Sequence, residues 1–194
     1  MNARTGMAET RRRALIGAAL REISDHGSLD VTVAQIAHRA GVSSALAHHY
    51  FGAKDALILA TMRHLLAEFG AGVIAALRRA DTPRARLSAI VAGSFGPDQF
   101  HRATICAWLT FYAWALSSPD AARLLRVYQG RLRSNLVHAL RPLVGTGAPR
   151  VATALAALID GAYLHAALSG RPTTPQTAIA AAEDYLDLEL GRKA

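Results

Sequence analysis

The sequence predicts an all-α protein of about nine helices, and three observations support this prediction. Hydrophobic residues make up 52% of the chain but aromatic residues only 6%, so alanine and aliphatic side chains supply the apolar content, which favours helices. Helix caps and helix-ending glycines recur along the chain, whereas β-branched and aromatic residues nowhere alternate as they do in strands. At 194 residues the chain is long enough for one domain or two small ones.

The first helix is predicted from a stripe of apolar residues that precedes a glycine. Four residues at i, i+3, i+4 and i+7 spacing define its apolar face: Ile16, Ala19, Leu20 and Ile23. Gly27 follows this stripe and can adopt the left-handed conformation that ends a helix.

Two short helices are predicted next, separated by a turn. Residues 32–35 (TVAQ) have the Thr-x-x-Gln form of a capping box, so Thr32 is expected to open a helix that runs to about residue 40. Gly41 ends that helix, and Ser43 is a good N-cap for a second helix through Tyr50. Two helices joined by a turn of three or four residues have the layout of a helix-turn-helix.

The remaining helices are predicted from stripes, caps and stops. A long helix from about Lys54 to Ala80 carries the stripe Met62, Leu66, Phe69 and Val73. Three cap-and-proline pairs predict further helix starts, at Thr82-Pro83, Ser118-Pro119 and Thr174-Pro175. Gly145 and Gly170 are predicted stops.

One apolar stretch raises the possibility of a membrane helix. Residues 103–119 carry no charge and lie at the bottom of the ~17–25 residue range for a membrane span. Ser117, Ser118 and Pro119 cap and restart a helix, however, so the uninterrupted apolar core is shorter. We therefore expect a helix buried on all sides by protein, and no membrane partner.

The helix-turn-helix has the features of a DNA-reading unit. Ala37 is small where the two helices should cross, and three apolar residues form the wedge that fixes their angle: Ile36, Val42 and Leu46. The exposed side chains expected on the second helix can donate hydrogen bonds to phosphates or base edges: Ser43, Ser44, His48, His49 and Tyr50.

Charge around the motif distinguishes DNA binding from the alternative, a purely structural helical hairpin. The net charge is +8 with a pI of about 10.5, which favours an anionic partner such as nucleic acid. A basic arm with Arg11, Arg12 and Arg13 precedes the motif and Lys54 follows it, so both sides carry groups for backbone contacts. DNA binding is therefore the preferred interpretation, with double-stranded DNA as partner.

Residues 11–57 resemble the DNA-binding domain of the TetR family of bacterial repressors, especially IAHRAGVS (36–43) and HYFGAKDAL (49–57). The resemblance implies a DNA-binding domain at 1–53, a ligand-binding and dimerisation domain at 54–194, and a homodimeric repressor released by a ligand. It also implies DNA contacts from Ser43, Ser44, His49, Tyr50 and Lys54, with Thr32 at the start of the supporting helix. Ala45 and His48 depart from the family pattern, in which glycine and tyrosine are common.

An aromatic cluster in the second half is a candidate ligand site. Trp108, Phe111 and Tyr112 share a helix face at i, i+3 and i+4, so their rings can converge, while Trp114 points elsewhere. Ordinary core packing is one interpretation of such a cluster. The other is a cage for a quaternary ammonium, which has no donor hydrogens and is recognised by ring faces and shape.

Four further segments resemble the BetI-type, betaine-pathway subfamily, whose members repress choline-to-glycine-betaine genes: IVAGSF (90–95), AWLTFYAWA (107–115), RLRSNL (131–136) and AALIDGAYLHAALSG (156–170). This resemblance implies choline or a related quaternary amine as effector. Tyr112 and Tyr163 stand where tryptophan is common, and both keep an aromatic face. The alternative is a repressor of the same fold that answers to another apolar or cationic molecule, as in efflux control.

Asp160 lies alone in an apolar segment, ALIDGAYL. A buried carboxylate is costly unless it is paired. Two interpretations stay open: Asp160 neutralises a ligand cation, or it pairs with an arginine such as Arg126 or Arg133.

The last two helices, 150–170 and 174–190, carry apolar residues suited to a four-helix dimer seam: Leu155, Leu158, Ala162, Ala166, Ile179, Ala182, Leu186 and Leu190. Packing within one subunit is the alternative. A dimer is needed to read two half-sites ~34–36 Å apart on one duplex.

Enzyme, metal and cofactor functions are not supported. Adjacent His48 and His49 point about 100° apart on a helix and cannot chelate one metal together. No phosphate loop, nucleophile elbow or zinc-protease motif is present. Cys106, the single cysteine, lies in an apolar run and is expected to be inert rather than redox-sensing. With no secretory signal at the N-terminus, we expect a cytoplasmic protein without cofactor.

Overall fold

The computed structural model describes residues 3–97, 99–169 and 173–191, with side chains from residue 6 onward. Within these ranges the chain forms nine α-helices, a single turn of 3₁₀-helix at Gly145–Gly147, and no strand. The helices are α1 Ala3–His26, α2 Val33–Arg39, α3 Ser44–Phe51, α4 Lys54–Leu77, α5 Pro83–Ser94, α6 Arg102–Ala115, α7 Pro119–Val144, α8 Ala148–Leu168 and α9 Pro175–Gly191. The all-α prediction is confirmed.

The predicted helix starts are present as hydrogen-bonded caps. The hydroxyl oxygens of Thr82 and Thr174 accept from the backbone N–H groups three residues ahead, each over 3.1 Å. Ser118 caps α7 in the same way, accepting from Ala121 over 3.3 Å. Each cap is followed by a proline at the first helical position, where its missing N–H costs nothing. The predicted stop at Gly170 lies outside the described residues.

The chain divides into two compact units. One comprises residues 1–66 and 102–122, and the other residues 67–101 and 123–194. The first unit therefore contains α1, α2, α3, the first half of α4, and α6. Compactness groups residues by packing and does not assign function, so the functional division at residues 53 and 54 stays a prediction.

The core of the first unit is built from α1, α2, α3 and the start of α4. The apolar face of α1 is rotated relative to the predicted one: Leu15, Ala18 and Ala19 are buried, whereas Ile16 and Leu20 are only partly buried. The turn after α1 is as predicted, because Gly27 has φ +65° and donates to the carbonyl of Ile23 over 2.9 Å.

Helix α6 ends at Ala115, as the Ser-Ser-Pro sequence after it predicts. It is not buried on all sides, since Ala113 is exposed, and in this respect the prediction is wrong. At 14 residues α6 is shorter than the roughly 20 needed to span a bilayer. Two other helical stretches, Lys54–Leu77 and Pro119–Leu168, are long and apolar enough to do so, a property that core helices of soluble proteins share.

In the second unit, α9 packs against both α5 and α8. Arg84 of α5 forms ion pairs of 2.6 Å with Glu183 and with Asp187 of α9. Arg150, near the start of α8, pairs over 2.5 Å with the buried carboxylate of Glu189. These pairs fix α9 on its neighbours.

This packing corrects part of the predicted dimer seam. Leu155, Ala182 and Leu186 are fully buried within one chain, so they contact their own subunit and not a second copy. The large apolar side chains that α8 and α9 leave exposed are others: Leu164, Leu168 and Leu188. Both helices carry two apolar faces, and periodicity alone does not distinguish which face turns inward.

Candidate DNA interface and effector site

Helix α2 begins with the complete capping box that the sequence predicts. The hydroxyl oxygen of Thr32 accepts from the backbone N–H of Gln35 over 3.1 Å, and the Gln35 side-chain oxygen accepts from the backbone N–H of Thr32 over 2.7 Å. Two orphan donors at the helix start are thereby satisfied. Thr32 is exposed, so its position at the foot of α2 is accessible to a partner.

The turn between α2 and α3 brings the two helices into close contact. Gly41 has φ +68°, a left-handed conformation that a side chain would strain. Beyond it, the N–H of Val42 donates to the carbonyl of Ala37 over 3.0 Å, and Ala37 is fully buried where the helices meet. Of the predicted wedge, Ile36 is buried and the side chains of Val42 and Leu46 are partly buried.

Helix α3 presents a polar surface at its start. Ser43 is the N-cap, and its hydroxyl oxygen accepts from the N–H of Leu46 over 3.2 Å, which leaves the hydroxyl hydrogen to donate. Ser43 and Ser44 are both exposed, and the N–H groups of the first turn point out of the helix start. The arrangement can bind a phosphate or reach a base edge.

The end of α3 carries two exposed histidines. Nδ1 of His48 lies 2.6 Å from the carbonyl oxygen of Gly52, and because a carbonyl only accepts, Nδ1 carries the proton. Nε2 is then the ring atom of His48 that remains for an outside partner. The rings of His49 and Tyr50 meet edge to face at 5.6 Å. Tyr50 is only partly buried and packs against the core of the unit.

The basic residues predicted to flank the motif lie on helices. Arg11, Arg12 and Arg13 belong to α1, so they are part of a helix and not of an extended arm. Arg13 pairs with Glu9 over 3.1 Å, and the guanidinium of Arg12 lies over the ring of Phe51, 4.9 Å from its centroid. Lys54 is the first residue of α4 and is partly buried.

An ion-pair network that the sequence did not indicate holds α2 on α1. Arg39 donates from Nε to the Glu22 carboxylate over 2.5 Å and contacts Asp25 over 2.7 Å. The hydrogen bond to Glu22 is the main cause of a raised pKa of Arg39. Glu22 is buried and also lies 3.4 Å from the ring of His26. The network fixes the helix that supports α3.

The five predicted effector residues belong to two different units. Trp108, Phe111 and Tyr112 lie in the first unit on α6, where the Trp108 ring lies 6.2 Å from Phe111 and 5.6 Å from Tyr112. Trp108 and Phe111 are buried, and Tyr112 is partly buried. The rings therefore converge as the spacing predicts.

Trp114, which the sequence predicted to point elsewhere, also contacts the ring of Phe111. It packs against the core of the first unit and lines a cavity of about 280 Å³ together with Leu29, Asp30, Lys54, Asp55 and Ile58. Its ring is 6.4 Å from that of Phe111.

Tyr163 of α8 is the centre of a buried aromatic cluster in the second unit. Its ring lies 6.0 Å from Phe95, in a stacked arrangement, and 5.4 Å from Phe100. Its hydroxyl donates to the carbonyl of Ser94 over 2.5 Å. Burial, and then the charges of Tyr128 and Asp160, raise the pKa of Tyr163 far above its usual range, so the hydroxyl stays protonated.

Asp160 lies on the same helix and is partly buried. Burial is the main cause of the raised pKa of both Tyr128 and Tyr163, and the charge of Asp160 adds a smaller contribution in each case. Tyr128 in turn packs edge to face with Phe69 at 5.8 Å. Both predicted roles of Asp160 stay open.

Sequence reasoning missed Phe69, Phe95, Phe100 and Tyr128 as neighbours of the predicted effector residues. They come from α4, the α5–α6 connection and α7, and no spacing along the chain links them to Tyr163. For metals, the described ranges contain no group of three or more His, Cys, Asp or Glu side chains placed to hold an ion.

A capped, tightly crossed helix-turn-helix with an exposed polar second helix, in an all-helical chain, defines a helix-turn-helix DNA-binding regulator. Residues 15–61 match the model of bacterial regulatory proteins of the tetR family, and residues 83–191 match that of the BetI-type transcriptional repressor C-terminal domain. The chain therefore belongs to the TetR family and carries a BetI-type C-terminal domain, a class of transcriptional repressors that are not enzymes.

Curated relatives extend the match over almost the whole chain. A protein of Brucella anthropi named HTH-type transcriptional regulator BetI is 56% identical over 95% of this chain and 96% of its own. A Rhizobium meliloti protein of the same name is 47% identical over 96% of this chain and 93% of its own.

Solved structures share the fold. A putative transcriptional regulator from Pseudomonas aeruginosa PAO1 superposes with a TM-score of 0.82 at 29% identity, covering 95% of this chain and 92% of its own. A putative regulator from Saccharomonospora viridis, solved in complex with choline, has a TM-score of 0.80 at 23% identity and covers 91% of this chain and 95% of its own.

Proposed function

We propose that this repressor senses choline, controls genes of glycine betaine synthesis, and works in the cytoplasm as a homodimer on a two-fold operator. The BetI-type relatives and the choline complex of a protein with the same fold support this proposal. In this chain the supporting observation is the buried aromatic cluster of Phe95, Phe100 and Tyr163, with the partly buried Asp160 three residues before Tyr163 on the same helix.

The chemistry of this group suits a quaternary ammonium. Such a cation has no N–H to donate, so it is held by aromatic faces and by a nearby negative charge. Phe95 and Phe100 pack around the ring of Tyr163, and the charge of Asp160 acts on both Tyr128 and Tyr163. The hydroxyl of Tyr163 donates its hydrogen bond to the Ser94 carbonyl, so the Tyr163 ring is held in one orientation.

For the DNA side, we propose that α3 enters the major groove with Ser43, Ser44 and His49 as contacts. His48 contributes through Nε2 and Tyr50 through its partly exposed edge, while Thr32, Lys54, Arg12 and Arg13 contact the flanking backbone. The exposure of both serines and both histidines supports this assignment.

Release follows from a shift between two forms of the dimer. Choline prefers the form whose reading helices have the wrong separation for successive grooves, so its binding lowers operator affinity. By linkage, operator DNA must weaken choline binding by the same factor.

Calorimetric titration with matched ligands tests the effector. Choline is expected to bind saturably, and 3,3-dimethylbutan-1-ol, its uncharged isostere, about tenfold more weakly because it lacks the cation. Asp160→Asn should bring the affinities for choline and for its uncharged isostere closer together. Equal binding of both ligands, or binding of neither, would remove choline as effector and favour a repressor that answers to another molecule, as in efflux control.

A further inference from the structure

The contact between Arg12 and Phe51 joins two helices at one end of the proposed recognition helix. Phe51 is the last residue of α3, and Arg12 lies on α1. The guanidinium carbon of Arg12 lies 4.9 Å from the centroid of the Phe51 ring, which is within the range of a cation–π contact. α1 thereby places a positive charge beside the end of α3.

The two side chains differ in how firmly they are held. Phe51 is partly buried and packs against the core of the first unit, whereas Arg12 is exposed. Stacking on a fixed ring restricts an otherwise flexible arginine before any partner binds, which lowers the entropy lost on binding. The planar guanidinium keeps its N–H groups at its edge, where they can donate to an anion.

Its neighbour on α1 is placed differently. Arg13 pairs with Glu9 over 3.1 Å, so part of its charge is already compensated. Within the described part of the chain, no carboxylate lies within ion-pair distance of Arg12. Arg12 therefore offers an uncompensated and oriented cation next to a helix end, where the DNA backbone flanks the groove.

We propose that Phe51 is a positioning residue for operator binding: its ring holds the guanidinium of Arg12 in place to contact a backbone phosphate. The inference rests on the proposal that α3 is the helix that meets the DNA. It adds a role for Phe51, which acts through Arg12, and it brings a cation of α1 to the C-terminal end of α3.

The test is a double-mutant cycle on full-length protein, using a duplex that the wild-type protein selects from a randomised pool. Phe51→Leu should weaken binding about two- to fivefold, the value of one exposed cation–π contact. Arg12→Ala should weaken it more and lower the slope of log affinity against log salt by about 0.9 per subunit. In a protein that already carries Arg12→Ala, Phe51→Leu should cause no further loss of DNA affinity.

Arg12→Lys tests the same idea without touching the core. It keeps the charge and the salt slope but loses the stacked plane, so binding should again weaken two- to fivefold. Arg79→Ala is the matched control for charge removal, since Arg79 is an exposed arginine of the other unit, and it should leave the affinity within twofold.

The proposal is overturned if Phe51→Leu lowers DNA affinity by the same factor in the wild-type protein and in the Arg12→Ala variant. The ring would then act through the core alone. The proposal is equally overturned if Arg12→Lys binds like the wild type or if Arg12→Ala leaves the salt slope unchanged. His49→Ala distinguishes failure of this inference from failure of the proposal that α3 enters the groove. If His49→Ala binds DNA with wild-type affinity, the assignment of α3 to the groove is wrong.

Discussion

The hydroxyl of Tyr163 on α8 donates a 2.5 Å hydrogen bond to the backbone carbonyl of Ser94, the last residue of α5. Tyr163 is 7% exposed, and burial raises its pKa far above the usual range. The hydroxyl therefore remains a donor at every physiological pH. Tyr163 thus fixes the end of α5 through its hydroxyl, and its ring packs with Phe95 and Phe100 in the proposed effector site.

Tyr163→Phe separates these two roles. Removing the hydroxyl leaves a buried carbonyl without this donor, so we expect a loss of about 1–2 kcal/mol of unfolding free energy in urea. The ring remains, so choline affinity should change less than threefold. Tyr163→Leu should lose both stability and choline affinity, and equal choline binding by all three proteins would exclude Tyr163 from the effector site.

Matched caps in the two units test which of them contacts DNA. The hydroxyl oxygens of Thr32 and Thr82 each accept from a backbone N–H over 3.1 Å. Thr32→Ala and Thr82→Ala should each cost about 1 kcal/mol of stability in thermal or urea unfolding. Only Thr32→Ala should weaken operator binding in an anisotropy titration, because only α2 supports α3. Equal effects of the two variants on DNA affinity would count against this assignment.

The exposed leucines of α8 and α9 test the proposed dimer. Leu168 is 71% exposed, and a charge there should prevent burial against a second copy. We expect Leu168→Glu to give a monomer in analytical ultracentrifugation and to lose two-site operator binding. Leu116→Glu is the matched control, since Leu116 is 90% exposed but lies after α6, and it should remain dimeric. A wild-type protein that sediments as a monomer at micromolar concentration would contradict the dimer.

Cys106 provides a test of local packing by its reactivity. Burial raises the pKa of its thiol, with a smaller opposing effect from Arg102, and the thiol lies 3.5 Å from the carbonyl of Ile23. A raised pKa means less thiolate at neutral pH, so alkylation by iodoacetamide should be slower in the native protein than in urea. The native rate should continue to rise with pH after the urea rate has levelled off. Equal rates at pH 7 would show that the thiol is not protected.

Local features of this chain were predictable from the sequence and contacts between distant segments were not. The caps at Thr32, Ser43 and Thr82 involve residues three positions apart, so their chemistry can be read along the chain. The ion pairs of Arg39 with Glu22 and Asp25 depend on how α1 and α2 cross, which no periodicity encodes.

The same limit explains the errors in the second half. Leu155 and Leu186 have the spacing of a dimer seam, but a helix with two apolar faces does not reveal which one its own subunit covers. The neighbours of Tyr163 were missed because Phe95 and Phe100 approach it from elsewhere in the chain. The i, i+3, i+4 set on α6 was found because it lies on one helix.

Operator affinity measured with and without choline tests the central claim most directly. Fluorescence anisotropy of the selected duplex at fixed ionic strength should show that saturating choline raises the dissociation constant for DNA. Calorimetry should show that saturating DNA raises the dissociation constant for choline by the same factor. A DNA affinity that saturating choline leaves unchanged would contradict the account, even if choline binds to the protein.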